Sequence, residues 1–224
     1  MTSTTTPELI VVDDTAEAGM RQLLELNPRT IALAGGSTPR RMYERWARSE
    51  FPWPDVDIFF GDERCVPPDD VASNFRMAQE SLLAKVSATV HRMPGESCDV
   101  EAYETELRST FADGGPSFDL VLLGLGEDGH TASLFPGDSA LEVTDRWVVR
   151  VERPDFERLT LTLPVLSAAR VAMFLVTGAH KRTALRQLLD GGDIPAARVS
   201  AERVIVIADR AAVPLGYSAR ARSA

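Results

Sequence analysis

The chain has 224 residues, 44% apolar and 25% charged, a composition that can bury a sizeable core without metal or disulfide support. Its 24 Lys and Arg stand against 33 Asp and Glu, a net charge of -9. That balance argues against nucleic acid as a partner, while leaving room for a small anionic ligand held by a local group of cations.

Strand-like apolar runs alternate with helix-period segments almost from end to end. ELIVV (8–12) predicts a strand, and Ala16, Met20, Leu23 and Leu24 then share one helical face. Asp14 and Glu17 have capping-box spacing at that helix's start. TIALAGG (30–36) predicts a second strand, followed by a helix presenting Met42, Tyr43, Trp46 and Ala47. VDIFFGDE (56–63) predicts a third. Phe75, Ala78, Leu82 and Val86 mark the next helix, with Ser73 as its N-cap. A short VHRMP strand leads to a helix carrying Val100, Tyr103, Leu107 and Phe111.

FDLVLLGLG (118–126) is the most apolar strand, as expected for one covered on both faces. RWVVRVE and RLTLTL follow without room for a crossover helix, so that pair is expected to be antiparallel. VAMFLVTG, a helix through Leu185, Leu188 and Leu189 that stops at Gly191 and Gly192, and RVIVIAD complete the chain. The pattern predicts an α/β fold with a mostly parallel sheet, in one domain over residues 1–224.

MTSTTTPELI lacks a basic start and an apolar stretch long enough for a signal peptide. The longest apolar runs, such as VAMFLV, are too short to span a bilayer, so no membrane partner is expected. Cys65 and Cys98 stand far apart without metal-ligand spacing and are expected to be two reduced thiols of a cytoplasmic protein.

Four polar segments fall at carboxyl ends of predicted strands, where ligands of such sheets bind: GGSTP, GDER, GEDGH and GAHK. If those strands are parallel neighbours, the four converge on one rim. GLGEDG at 124–129 also satisfies the Gly-x-Gly-x-x-Gly dinucleotide spacing. That motif needs a helix opening at the loop and an acidic residue about 20 positions on. Here HTASLFPG breaks any helix at Pro136–Gly137, Glu152 comes too late, and Asp128 would sit beside a pyrophosphate. The context excludes the nucleotide.

GGSTP is the better anion site. Gly35 and Gly36 allow close backbone approach, Ser37 and Thr38 offer hydroxyls, and Pro39 suits the first helical position. An ordinary strand-to-helix turn fits the same residues. Lys181 at a later helix start could supply a point charge, or be a solvated lysine. His130 has two acids close by, Asp128 and Glu127, either of which could orient its imidazole for general-base work. No serine or cysteine elbow accompanies it, which favours an activated water. Arg64 could hold an anion or developing oxyanion, or be salt-bridged in a loop. Dispersed histidines and acids give no metal pattern.

Together LAGGSTPRRMY, FFGDERCVPPDDVASNFRMAQESLL, FDLVLLGLGEDGHTASLFPG, RLTLTLPVL and VTGAHKR resemble the glucosamine-6-phosphate isomerase/6-phosphogluconolactonase family, in family order and over nearly the whole chain. The resemblance implies a Rossmann-like α/β fold, a mostly parallel sheet flanked by helices, with a small antiparallel appendage. It implies hydrolysis of 6-phospho-D-glucono-1,5-lactone in the pentose phosphate pathway, without metal, nucleotide or other cofactor. The expected partner is the phosphorylated sugar lactone alone, and the expected state a monomer or small homo-oligomer. By motif position, His130 is the implied catalytic base with Asp128 in support. Gly35, Gly36, Ser37, Thr38 and Lys181 form the implied phosphate cradle, with Arg64 and Arg158 as substrate-binding residues. Two alternatives are a glucosamine-6-phosphate deaminase and a non-catalytic sugar-phosphate sensor. DERC and SLFPG stand where the deaminases show a DE-tyrosine motif and an Asn-Glu-Pro segment. Sensors often carry a DNA-binding module, for which the first α/β unit starts too early.

Overall fold

The computed structural model describes residues 6–111 and 115–217. Residues 1–5, on which the expected lack of a leader partly rests, lie outside them. In chain order the elements are β1 (Glu8–Val12), α1 (Thr15–Leu26), β2 (Thr30–Leu33), α2 (Ser37–Trp46), β3 (Asp57–Phe60) and β4 (Asp62–Arg64). Then come α3 (Asn74–Ser81), β5 (Thr89–Val90), α4 (Val100–Thr110), β6 (Leu120–Leu123), β7 (Val148–Glu152) and β8 (Glu157–Leu161). α5 (Leu163–Ser167), β9 (Val171–Val176), α6 (Arg182–Asp190) and β10 (Arg203–Asp209) follow.

Seven strands form a parallel sheet in the order β1-β10-β9-β6-β2-β3-β5. Every residue of β6 and β9 is buried, as helices on both faces require. β2 runs outward to β3 and β5, whereas β6 begins the return toward β9 and β10. The chain therefore reverses direction between β2 and β6, the place where open α/β sheets bind ligands.

The expected strand at 56–63 is two strands in two sheets. Gly61 donates its amide to Leu33 O on the parallel side and accepts from the Leu161 amide on the other. It thus hands the chain from β3 to β4, which joins β8 and β7 in a three-stranded antiparallel sheet. The antiparallel pair expected from RWVVRVE and RLTLTL is present, with β4 added to it.

Local chemistry explains the helix starts. Asp14 caps α1 by accepting from the Ala16 and Glu17 amides, and Ser73 caps α3 by accepting from Arg76. Glu17 does not complete a capping box; it pairs with Arg21 and Arg45. α2 begins at Ser37, two residues before Pro39, because amides of a first helical turn need no intrahelical partner. α3 stops at Ser81, leaving Val86 outside the expected helix.

Two buried tyrosines fix the strand ends beneath the site. Tyr43 Oη accepts from the Ala34 amide and donates to Ala34 O after β2, at 3.0 and 2.9 Å. Tyr103 Oη does the same at Phe60, at 3.0 and 3.3 Å. Burial pushes both phenols up and keeps them neutral.

The expectation of two reduced thiols is corrected. Cys65 and Cys98 form a disulfide, with Cα atoms 5.1 Å apart. Their separation of 33 residues hid the contact. β5 pairs with β3, and this brings the turn after β5 against the end of β4. Among the described residues, no helix is long and apolar enough to cross a membrane.

Candidate active site

GGSTP, GDER, GEDGH and GAHK follow β2, β3, β6 and β9, four consecutive strands of the parallel sheet. They meet around one cavity of about 810 Å³, lined by residues of all four segments and by Arg158. The expected convergence is what parallel neighbours produce, since all their loops leave on one side.

At one part of the rim, Gly36 caps α2 with φ +108°, a backbone that side chains rarely adopt. The first helical amide bond runs from Arg40 N to Gly36 O, so the Ser37 and Thr38 amides have no intrahelical partner. They and the positive end of the helix dipole line the cavity. Thr38 Oγ1 donates to Thr177 Oγ1 at 3.3 Å, tying this loop to the one after β9. There the Gly178 amide is held by both Asp209 oxygens, at 3.1 and 3.0 Å. Lys181 is the N-cap residue of α6, and its ammonium has no hydrogen bond or ion pair among the described residues.

The loop after β6 has another design. No helix follows it; a single bridge joins Thr131 to Leu134. His130 Nδ1 lies 2.6 Å from Asp128 Oδ1, which also accepts from the His130 amide at 3.1 Å. Asp128, not Glu127, is therefore the acid that orients the ring. Burial raises the Asp128 carboxyl, but these bonds and the His130 charge hold it below its ordinary value. With Nδ1 engaged, Nε2 is the nitrogen left for chemistry. Phe135 packs beside the imidazole, ring centroids 4.5 Å apart.

The glycines of this loop make room for the histidine. A Cβ on Gly126 would collide with the His130 ring and with Asp128, and one on Gly129 (φ +87°) would strike Ile194. These contacts leave the dinucleotide spacing with a local explanation.

β4 and β8 place Arg64 directly opposite Arg158. Arg64 Nη1 donates to Ala72 O and Asn74 Oδ1, at 2.7 and 3.0 Å, and Arg158 Nη2 to Asp155 at 2.5 Å. The Nε groups of both arginines are buried without a hydrogen-bond partner among the described residues. Both arginines nevertheless line the cavity, where a guanidinium can meet an anionic or carbonyl oxygen.

The family described as glucosamine-6-phosphate isomerases/6-phosphogluconolactonase matches residues 10–207. The chain belongs to this family. It is 44% identical over 178 residues to a 6-phosphogluconolactonase of Synechocystis sp., covering 75% of this chain and 74% of that one. Its fold matches the 6-phosphogluconolactonase of Thermotoga maritima with a TM-score of 0.81 at 30% identity, covering 91% of this chain and all of the other. The Trypanosoma brucei 6-phosphogluconolactonase structure gives the same TM-score and identity over 93% of this chain and 98% of its own.

Residues not expected from the sequence also stand at the site. Asn74 is buried and donates from Nδ2 to Asp62 O at 2.9 Å, while its Oδ1 receives Arg64. A Cβ on Gly35 would collide with the Asn74 amide, so Gly35 is small to admit it. Asp62 is buried too and accepts from Ser133 Oγ at 2.6 Å, linking the Arg64 strand to the His130 loop. Glu63 collects the Arg64, Asn74 and Phe75 amides and the Ser73 hydroxyl; burial still pushes its carboxyl above the ordinary value. Arg41 and His180 also line the cavity. Arg41 was legible as a neighbour of Ser37, four residues on along the same helical face. Asn74 carried no such signal, because its partners come from β4.

Proposed function

We propose that this chain hydrolyses 6-phospho-D-glucono-1,5-lactone to 6-phospho-D-gluconate in the pentose phosphate pathway, with His130 as general base. The observation that carries the role of His130 is its Nδ1–Asp128 pair in a cavity that also holds a free helix N-terminus and Lys181.

His130 Nε2 takes a proton from water as the oxygen attacks lactone C1. The tetrahedral intermediate collapses by breaking the bond from C1 to the ring oxygen. The imidazolium returns the proton to that departing oxygen. Asp128 keeps the ring in the required tautomer and stabilises its charge. Gly35, Gly36, Ser37, Thr38 and Lys181 bind the phosphate, which fixes the distant lactone carbonyl against His130. Arg64 and Arg158, which line the cavity, donate to substrate oxygens, Arg64 serving the lactone and Arg158 the phosphate side. No metal or nucleotide takes part. The enzyme works as one domain in the cytoplasm, as a monomer or small homo-oligomer, with neither nucleic acid nor membrane as partner.

The test is acid release from freshly generated 6-phosphogluconolactone. Acceleration over spontaneous hydrolysis, lost in His130→Ala, is expected. No acceleration would sink the proposal, and ammonia released from glucosamine 6-phosphate would replace it by the deaminase alternative.

A further inference from the structure

The Cys65–Cys98 disulfide lies one residue from Arg64, outside the cavity but against the strand that supplies it. The Cys65 amide donates to Glu157 O at 2.8 Å, extending the ladder that sets Arg64 opposite Arg158. On the other side, the turn at 94–98 presses backbone on backbone. A Cβ on Gly95 would stand 2.6 Å from Arg64 O and 2.8 Å from Val66 O. Cys98 is held in a left-handed conformation, φ +50°, with its amide donated to Pro94 O. Among the described residues, no hydrogen bond joins 64–66 to 94–98. Packing and the disulfide are what tie the two segments together.

We propose that Cys65–Cys98 is a reversible thiol–disulfide exchange site whose oxidised form positions Arg64, so that its redox state sets the affinity for the phosphorylated lactone. The inference rests on the substrate-binding role proposed for Arg64. Both cysteines are half-buried, so a small thiol can reach them. A thiolate of a dithiol reductant attacks one sulfur and forms a mixed disulfide. Its second thiol displaces the protein sulfur. Two electrons and two protons pass to the cysteines, and the reductant leaves as its own disulfide. Two thiols cannot approach as closely as two bonded sulfurs, so the turn and Cys65 must separate. A packed interior passes that displacement to the adjoining residue. Among the described residues the guanidinium of Arg64 is anchored through Nη1 alone, to Ala72 and Asn74, so a shift of its backbone can move the rest of the group. Disulfides in a cytoplasmic protein, the compartment proposed above, are usually redox-sensing or catalytic.

The experiment compares the full chain oxidised, and reduced with dithiothreitol and desalted without air, counting thiols and measuring KM and kcat. A chelator is included because the reduced pair with Glu157, whose ligand atoms lie within 4.8 Å of one another, could hold a divalent ion. Expected are no free thiol in the oxidised enzyme and two in the reduced one. KM should rise about threefold to tenfold on reduction with kcat within about twofold, and return on reoxidation. The double variant Cys65→Ser/Cys98→Ser should keep the raised KM and ignore the reductant. In Arg64→Ala, reduction should no longer move KM.

Two free thiols after oxidation, an unchanged KM on reduction, or loss of the folded state by circular dichroism on reduction would each overturn the proposal. A redox effect that persists in Arg64→Ala would overturn it as well. If Arg64→Ala alone leaves KM unchanged, the role of Arg64 fails, a result separate from a failure of the redox pair.

Discussion

The two glycine loops that flank the reversal of the sheet solve different problems with similar residues. After β2, Gly36 takes a positive φ and opens α2, so backbone amides face the cavity. After β6, Gly126 and Gly129 stand where side chains would strike His130 and Ile194, and no helix follows. One loop presents the backbone and the other a side chain. Glycine spacing alone therefore says little about chemistry; what a Cβ would hit at each position says more.

The largest test of this contrast removes the imidazole. His130→Ala is expected to lower kcat about 10²- to 10⁴-fold in the acid-release assay with KM nearly unchanged. A fall confined to KM would move His130 from the chemistry to binding. Gly126→Ala probes the same loop indirectly, by pushing the ring aside. It should cost up to about 10²-fold in kcat while circular dichroism stays native. The opposite loop should respond in the other parameter. Lys181→Ala is expected to raise KM about 10- to 10²-fold, more than it lowers kcat, because the charged hydrogen bond proposed between Lys181 and the substrate phosphate would be lost.

Gly36→Ala tests backbone rather than charge. Forcing φ +108°, ψ 169° on alanine, a region essentially confined to glycine, should cost about 1–3 kcal/mol, read as a drop of about 2–12 °C in Tm. The smallest effect concerns pH. Asp128 is held below its ordinary value in the fold, so its contribution to stability is present above the usual carboxylate range and lost as pH falls through the lowered value. His130→Ala removes the imidazole that helps lower it, so the contribution should shrink and its loss should be complete at a higher pH. A carboxyl NMR titration of Asp128 would show the upward move. The change in stability should stay below about 1 kcal/mol, because half of the side chain meets solvent.

Much of the architecture was legible because periodicity reports burial directly. The runs at 8–12 and 203–209 are strands with those bounds, and Asp14 and Ser73 cap the helices they precede. The boundary at Gly61 was not legible. An apolar run gives no sign that its hydrogen bonds pass from one sheet to another, and only the partners Leu33 and Leu161 reveal it. The site divides in the same way. GGSTP, GDER, GEDGH and GAHK were visible as polar segments ending strands, whereas Asn74 and Asp62 act through contacts with residues far along the chain. The cysteines mark the limit most sharply, since they looked unrelated and are bonded.

By itself the sequence determined the alternation of strand and helix, the polar character of four strand ends, and the proximity of His130 to an acid two residues away. These depend on period, capping and short-range spacing, which act between near neighbours. The tertiary structure alone decided the strand order that gathers the four segments, the choice of Asp128 over Glu127, the facing pair Arg64 and Arg158, and the Cys65–Cys98 bond. Each of these depends on which distant segments pack together, and that is set by burial of the whole core rather than by any local run.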